Sequence, residues 1–388
     1  MPDSESAARL EGHAALSHFL LSPGVTHLNH GSYGALPKAV ALEQDRWHMQ
    51  LEADPTSFFQ YVSPGAIRDS AATAAAHFGG AAKDWVFCEN ATAAVNSVLA
   101  SLPLEAGDTI ATTSHAYGAV MNAMRIWAAR RGARVNAIDL PLFVESDDQV
   151  CDLLAASLAP ETKLLVIDHI TSATALLLPV ARIVEAAHRI GIPVLVDGAH
   201  APGQIALDVP ALKADWYTGN AHKWLFAPKG CGLLWTAPQQ QAVTRPTVLS
   251  HGAFEGYTQA FDWIGTRDVT PWLCLQAAAT AHAGFGGPHL MARNKALSDR
   301  AAERLAAEFR ASPSAPAAMR AAMASLAFGP LENREPAVLR RRLLEEFGLV
   351  APVHGFGGQL WVRISAQVYN EEADYSRLAT ALAALLDR

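Results

Sequence analysis

From residue 84 to residue 236 the chain alternates short runs rich in Val, Ile and Leu with amphipathic stretches, and this alternation restricts the fold more than any other feature. The runs "DWVFCE" (84–89), "DTIATTS" (108–114), "ARVNAIDL" (133–140), "TKLLVIDHI" (162–170), "PVLVDGA" (193–199), "ADWYTGN" (214–220) and "GCGLLWT" (230–236) read as strands. Between them, 91–102, 118–132, 148–159 and 179–191 carry helical periodicity, the last with Pro179 at its start. Apolar strands separated by helices predict a mostly parallel, seven-stranded sheet covered on both faces. The link from Lys223 to Gly230 is too short for a parallel crossover, so the last run is predicted to lie antiparallel.

Outside this block the pattern changes. Helices are predicted over 6–20 and 38–51, with the loop-like "HLNHGSYGALP" between them. Further helices are expected over 271–284, 288–310 and 371–386, with a Pro/Ala-rich stretch at 312–317. The expected organisation is a large α/β domain over 65–255 and a smaller α+β domain over 256–388, with residues 1–64 packing on the smaller one.

Hydrophobic residues form 51% of the chain and charged ones 17%, so a substantial buried core is expected rather than disorder. The net charge of −7 and the lack of a Lys/Arg-rich block argue against nucleic acid as a partner. The most apolar long run, 164–180, carries Asp168 and His169 in its middle, so a membrane span is not expected. Cysteines at 88, 151, 231 and 274 share no metal-ligand or redox spacing, and the N-terminus lacks the character of a targeting signal. A reducing cytoplasm is the expected location.

In an open parallel sheet, ligands bind beyond the C-terminal ends of the strands. The segments that follow the strands are "ENAT" (89–92), "SHAY" (114–117), "HITS" (169–172), "DGAH" (197–200) and "GNAHK" (219–223), all carrying hydrogen-bonding or charged groups. Asn90 either caps its own helix or opens an anion site with Ala91 and Thr92. No GxxxxGK[ST] or GxGxxG is present, which leaves nucleotides unsupported. Asp197 ends a buried strand, where a carboxylate needs a partner. Lys223 stands beside Trp224, Leu225 and Phe226, a setting that lowers an amine's pKa and raises its nucleophilicity. A desolvated lysine, a buried aspartate and an anion site together suit pyridoxal phosphate. The lysine would form a Schiff base, the aspartate would keep the pyridine nitrogen protonated, and Tyr117 would stack on the ring.

The set "LNHGSYGALP", "VDGAH", "GNAHKW" and "FDWIGTRD" resembles the class V aminotransferase family of fold type I pyridoxal-phosphate enzymes, within it the isopenicillin N epimerase-like branch that also holds cysteine-conjugate lyases. The resemblance runs from about residue 25 to the C-terminal helix. It implies Lys223 as the Schiff-base lysine and Asp197 as partner of the ring nitrogen, with Tyr117 on the ring face. It further implies His200, aided by Ser172, at the phenolic oxygen, and Ala91, Thr92, Asn220 and His222 at the phosphate. Gly265 and Thr266 would reach the phosphate of a partner subunit, which makes a homodimer with shared sites the expected assembly. Arg363 in "LWVRISAQVYN" would pair with the α-carboxylate of an amino-acid substrate.

Cysteine desulfurases of similar fold carry a nucleophilic cysteine shortly before that arginine. Here the loop reads "LVAPVHGFGGQL", with His354 and no cysteine, which argues against desulfurase chemistry. The residues leave open epimerisation, β-elimination of a carbon–sulfur bond, transamination and ligand binding without turnover. Proton chemistry on both faces of Cα would need a second acid/base opposite Lys223, for which His30, Tyr33 and His354 are the candidates.

Overall fold

The structure, a computed structural model, describes residues 10–386. Seven strands form the main sheet: β1 (Trp85–Cys88), β2 (Thr109–Thr113), β3 (Arg134–Ile138), β4 (Thr162–Asp168), β5 (Val194–Gly198), β6 (Trp216–Asn220) and β7 (Gly232–Thr236). Their order is β1-β7-β6-β5-β4-β2-β3. All pairings are parallel except those of β7, which runs antiparallel to both β1 and β6, as the short link before it requires.

Side-chain alternation fills both faces of this sheet. Leu165, Ile167, Val194 and Val196 point to one core, while Leu164, Val166 and Leu195 point to the other. Over the first core lie the helices α1 (Lys38–Ala53), α2 (Ser63–Phe78), α5 (Asp147–Ser157) and α6 (Val180–His188); over the second lie α3 (Ala91–Ser101) and α4 (Gly118–Arg131). Each fully buried Val, Leu or Ile adds roughly 1.5–3 kcal/mol. The continuous apolar strands are therefore what fixes the layered arrangement.

A second, four-stranded antiparallel sheet comprises β8 (Ser312–Pro313), β9 (Met323–Pro330), β10 (Val353–Phe356) and β11 (Gln359–Ser365), in the order β10-β11-β9-β8. Helices α8 (Pro288–Phe309), α9 (Pro336–Phe347) and α10 (Glu372–Leu385) pack on it through Leu297, Leu305, Leu343 and Leu378. Of residues 1–64, expected on the smaller unit, Leu28 joins its core and Thr26–His27 pairs in parallel with Leu349–Val350, whereas Val40 and Phe58 are buried in the larger core instead. Residues 269–278 likewise bury their apolar side chains in the larger core, so the change of core comes later in the chain than residue 256.

Two expected helices differ. Of the stretch 6–20, residues 6–9 lie outside the described residues, and the remainder forms only a 3₁₀ helix, Gly12–His18. Gly12 has φ +65°, with its amide bound to the Val368 carbonyl at 2.7 Å, a conformation that ends any continuous helix there. The expected helix 271–284 is divided at Cys274 into Thr270–Leu273 and α7 (Leu275–Gly284). Among the described residues no helix is long and apolar enough to cross a membrane.

One close approach fixes where α3 begins. A Cβ built on Gly232 of β7 would lie 2.5 Å from the Cα of Asn90, the N-cap of α3. Backbone cannot swing aside as a side-chain tip can. Gly232→Ala is therefore expected to destabilise the protein by about 1–3 kcal/mol, read as a lower denaturant midpoint with an unchanged slope. An unchanged midpoint would show that β7 and α3 are free to separate.

Candidate active site

The C-terminal ends of β1, β4, β5 and β6, with the segment after β2, close around a cavity of about 230 Å³. All five strand-end segments read from the sequence contribute to it. Its lining includes Asn90, Ala91 and Thr92; Tyr117; Asp168 and Ser172; Asp197, Ala199 and His200; and Asn220, His222 and Lys223. Ser32 and Tyr33, from the N-terminal loop, complete it.

Lys223 follows β6 in a tight turn, its amide bonded to the Asn220 carbonyl at 3.2 Å. Trp224, Leu225 and Phe226 are fully buried and anchor the turn. Phe226 has φ +69°, a strained value for a bulky residue. Contacts with Phe19, His30 and Phe285 at ring-centroid distances of 5.5–5.7 Å hold it there. The Lys223 ammonium lies 3.2 Å from His200 Nε2. Burial first, and then the charge of Arg363, lowers its pKa to about 8, against the opposing pull of Asp197 and Asp168. The apolar residues beside Lys223 are thus the walls of its turn, and the result is an amine that is partly neutral near physiological pH.

Asp197 is buried, and its Oδ1 accepts the Ala199 amide at 3.0 Å. Burial raises its pKa. Asp168, which the sequence reading did not single out as a site residue, sits beside it: the two are register partners on β4 and β5. The signal was available in "LLVIDHI", a buried strand ending in a carboxylate as "VLVDGA" does. His200 is buried, and its Nδ1 has no hydrogen-bond partner. Burial, then the charge of Lys223, holds its pKa well below the ordinary imidazole value.

At the start of α3, Asn90 accepts the Ala93 amide at 2.9 Å, so it does cap its own helix. The Ala91 amide donates to Asn220 Oδ1 at 2.8 Å, which leaves the Thr92 amide and hydroxyl for a ligand. The His222 ring donates from Nδ1 to the Cys231 carbonyl at 3.2 Å, and burial, aided by Lys223, lowers its pKa to about 4.

Arg363, on β11, is buried behind this lining. Its guanidinium donates to the Ser172 carbonyl at 2.6 Å, Ser32 Oγ at 2.8 Å and Asn29 Oδ1 at 3.2 Å, and more weakly to Ser172 Oγ at 3.4 Å. Nε has no partner, and among the described residues no carboxylate pairs with it. Burial lowers its pKa to about 10. A buried cation held only by neutral oxygens is short of an anion.

The remaining candidates separate. His30 is buried, with Nδ1 2.9 Å from the Tyr369 hydroxyl and Nε2 3.0 Å from the Lys223 carbonyl. Both ring nitrogens are engaged, and burial lowers its pKa to about 3, so it braces the lysine turn and has no free edge for a substrate proton. His354 binds the Ala173 carbonyl at 3.1 Å and does not line the cavity. Tyr33 does line it and is 73% exposed. Gly265 and Thr266 are outside the lining, in a loop tied back to the chain by the 2.5 Å Arg267–Glu89 ion pair.

Pyridoxal phosphate suits this donor set. The cavity offers a helix N-terminus for a dianion, an unpartnered buried imidazole nitrogen, a carboxylate with an oxygen to spare and an amine of lowered pKa.

Comparison with known proteins agrees with this. The sequence pattern of the family described as aminotransferase class-V matches residues 46–378. Isopenicillin N epimerase of Amycolatopsis lactamdurans is 33% identical over 380 residues, covering 93% of this chain and 95% of that protein. A putative L-cysteine desulfhydrase of Oryza sativa subsp. japonica is 29% identical, covering 92% and 83%. In fold, the chain is similar to a cysteine desulfurase of Thermococcus onnurineus NA1, with a TM-score of 0.81, 17% identity and full coverage of both chains. With most of its length matched by the family pattern and near end-to-end likeness to the epimerase, the chain belongs to the class V aminotransferase family and is a pyridoxal-phosphate-dependent enzyme.

Proposed function

We propose that the protein removes the Cα proton of an amino acid with Lys223 and that loss of a sulfur substituent from Cβ follows. The observation that carries this reading is the setting of Lys223 as a base: a buried amine with its pKa near 8, beside His200 and two carboxylates. Of the three candidates for a second base, only Tyr33 lines the cavity. Elimination needs a proton removed from one face only, so one well-placed base is enough. The likeness to an L-cysteine desulfhydrase supports the sulfur substituent.

Pyridoxal phosphate, when bound, supplies an aldehyde that takes up amines and a ring that draws electron density from Cα. Asp197 would hold the ring nitrogen, His200 with Ser172 the phenolic oxygen, and Tyr117 one ring face. Thr92 with Ala91, Asn220 and His222 would hold the phosphate. Arg363 would bind the substrate α-carboxylate, replacing part of its contact with Ser32 and Asn29 by a bidentate ion pair. That anchors Cα at a fixed distance from the lysine.

Epimerisation is the second reading, favoured by Tyr33 at the cavity and by the 33% identical epimerase. Tyr33 would then return a proton on the face opposite Lys223. A homodimer is part of the proposal. Gly265 and Thr266 lie away from the cavity of their own chain, as residues destined for a partner's site would. Phe254 is 99% and Tyr61 77% exposed, large apolar surfaces suited to an interface. Four free cysteines, three of them buried, support a reducing compartment such as the cytoplasm.

The neutral form of Lys223 is the nucleophile for the cofactor aldehyde. Uptake of pyridoxal phosphate by cofactor-free protein should therefore rise with pH and level off above about 8, the lowered value, rather than above 10.5. Stopped-flow absorbance measures this, and Lys223→Ala should show no visible band at any pH. A rate still climbing at pH 10 would contradict the lowered amine. Turnover of cysteine conjugates in deuterated water separates the two reactions, with 2-oxo acid marking elimination and Cα deuterium in recovered, inverted substrate marking epimerisation. Tyr33→Phe should leave oxo-acid release within about threefold, and a loss of 100-fold or more (about 2.7 kcal/mol of barrier) would place Tyr33 in the elimination step.

A further inference from the structure

We propose that Asp168 is a positioning residue that shares a single proton with Asp197, so that the pair presents one negative charge to the heterocycle. The geometry starts in the backbone. Asp168 and Asp197 are direct register partners in the parallel β4–β5 ladder, and the His169 amide binds the Asp197 carbonyl at 2.8 Å. Opposed residues on parallel strands lie about 4.8 Å apart with side chains on the same face. Both carboxyls line the cavity, and both residues are buried, at 5% and 3% exposure.

Two carboxylates so placed repel each other in a medium that screens poorly, and one of them holds its proton. The surroundings assign that proton. Asp197 has the Ala199 amide on one oxygen at 3.0 Å, which favours its charged form. Asp168 is pushed well above the usual carboxylate range, by burial and then by the charge of Asp197, against the amides of Asp168 and Tyr117 and the charge of Lys223. The other groups that face the pair do not supply a second cation. Tyr217, on β6, is kept neutral by burial and by Asp197, and His200, after β5, is kept neutral by burial and by Lys223. Lys223 is itself only partly charged near pH 8. The charge of Arg363 acts on Lys223 and His200, lowering both.

As the protonated member, Asp168 donates to Asp197 and fixes its orientation, leaving one anionic oxygen for a ring nitrogen. This inference rests on the cofactor reading for its purpose but not for its test. An acid whose pKa is raised on folding stabilises the fold at low pH, and that contribution is lost as pH rises through the raised value. Asp168→Asn keeps the shape and a donor while removing the titration. In cofactor-free protein the melting temperature of Asp168→Asn should match wild type near pH 4.5 and exceed it progressively towards pH 8. Difference infrared spectroscopy of the wild type should show a protonated-carboxyl stretch at pH 7 that is missing in Asp168→Asn. After loading, Asp168→Asn/Asp197→Asn should bind pyridoxal phosphate at least tenfold more weakly than Asp197→Asn alone, because no charge then faces the heterocycle. A melting difference constant across pH, or no protonated-carboxyl band in the wild type, would overturn the shared proton. A wild type that takes up no pyridoxal phosphate would instead overturn the cofactor reading, with the melting and infrared results still deciding the state of the pair.

Discussion

Charge held out of water at the end of the large sheet governs the rest of the site. Asp168, Asp197 and Lys223 line the cavity, and Arg363 lies behind that lining against Ser172 and Ser32. No pairing among these four discharges them all. Arg363 is met only by the neutral oxygens of Ser172, Ser32 and Asn29, and the carboxylates have only a lysine that burial has made reluctant to ionise. Buried charge of this kind destabilises unless a partner arrives. The missing partners are opposite in kind, a cation for the aspartates and an anion for the arginine. A protonated heterocycle and an amino-acid carboxylate have that polarity.

Hydrogen bonds hold Arg363 and Asp197, whereas apolar packing holds the turn that carries Lys223. The Lys223 turn hangs on Trp224 and Phe226, and Phe226 stays at φ +69° because Phe19, His30 and Phe285 surround it. Strain at such a turn persists only where neighbours over-determine it. Packing around the turn therefore sets how far the amine is desolvated, and desolvation is the larger cause of its lowered pKa. The lowered pKa of this amine is a consequence of the core.

Much of this is legible in the sequence. Seven apolar runs became the seven strands, and the short link after Lys223 forced the antiparallel β7. The five strand-end segments meet at one cavity because parallel strands deliver their C-termini to one edge. Less legible was anything set by contacts across the fold. The helix expected over 6–20 depended on local periodicity, whereas Gly12 is bound by residue 368. His30 and Tyr33 looked equivalent in "HGSY", yet one is buried against Tyr369 and the other opens to the cavity. Asp168 carried the same strand-end signal as Asp197, but its importance comes from the register between β4 and β5, which no single strand encodes.

The N-terminal loop links the lysine turn to Arg363. Gly34 has φ +70°, and a Cβ there would lie 2.2 Å from the His222 carbonyl oxygen, so the loop rests directly on the lysine turn. Two residues earlier, Ser32 accepts from Arg363, and four residues earlier His30 binds both the Lys223 carbonyl and Tyr369 of the smaller unit. On the proposed reading, a substrate carboxylate at Arg363 would act on Ser32, and through this loop on the backbone that carries the amine. Glycine at 34 is what permits this contact, since any side chain would lift the loop from the turn and separate the arginine's environment from the lysine's.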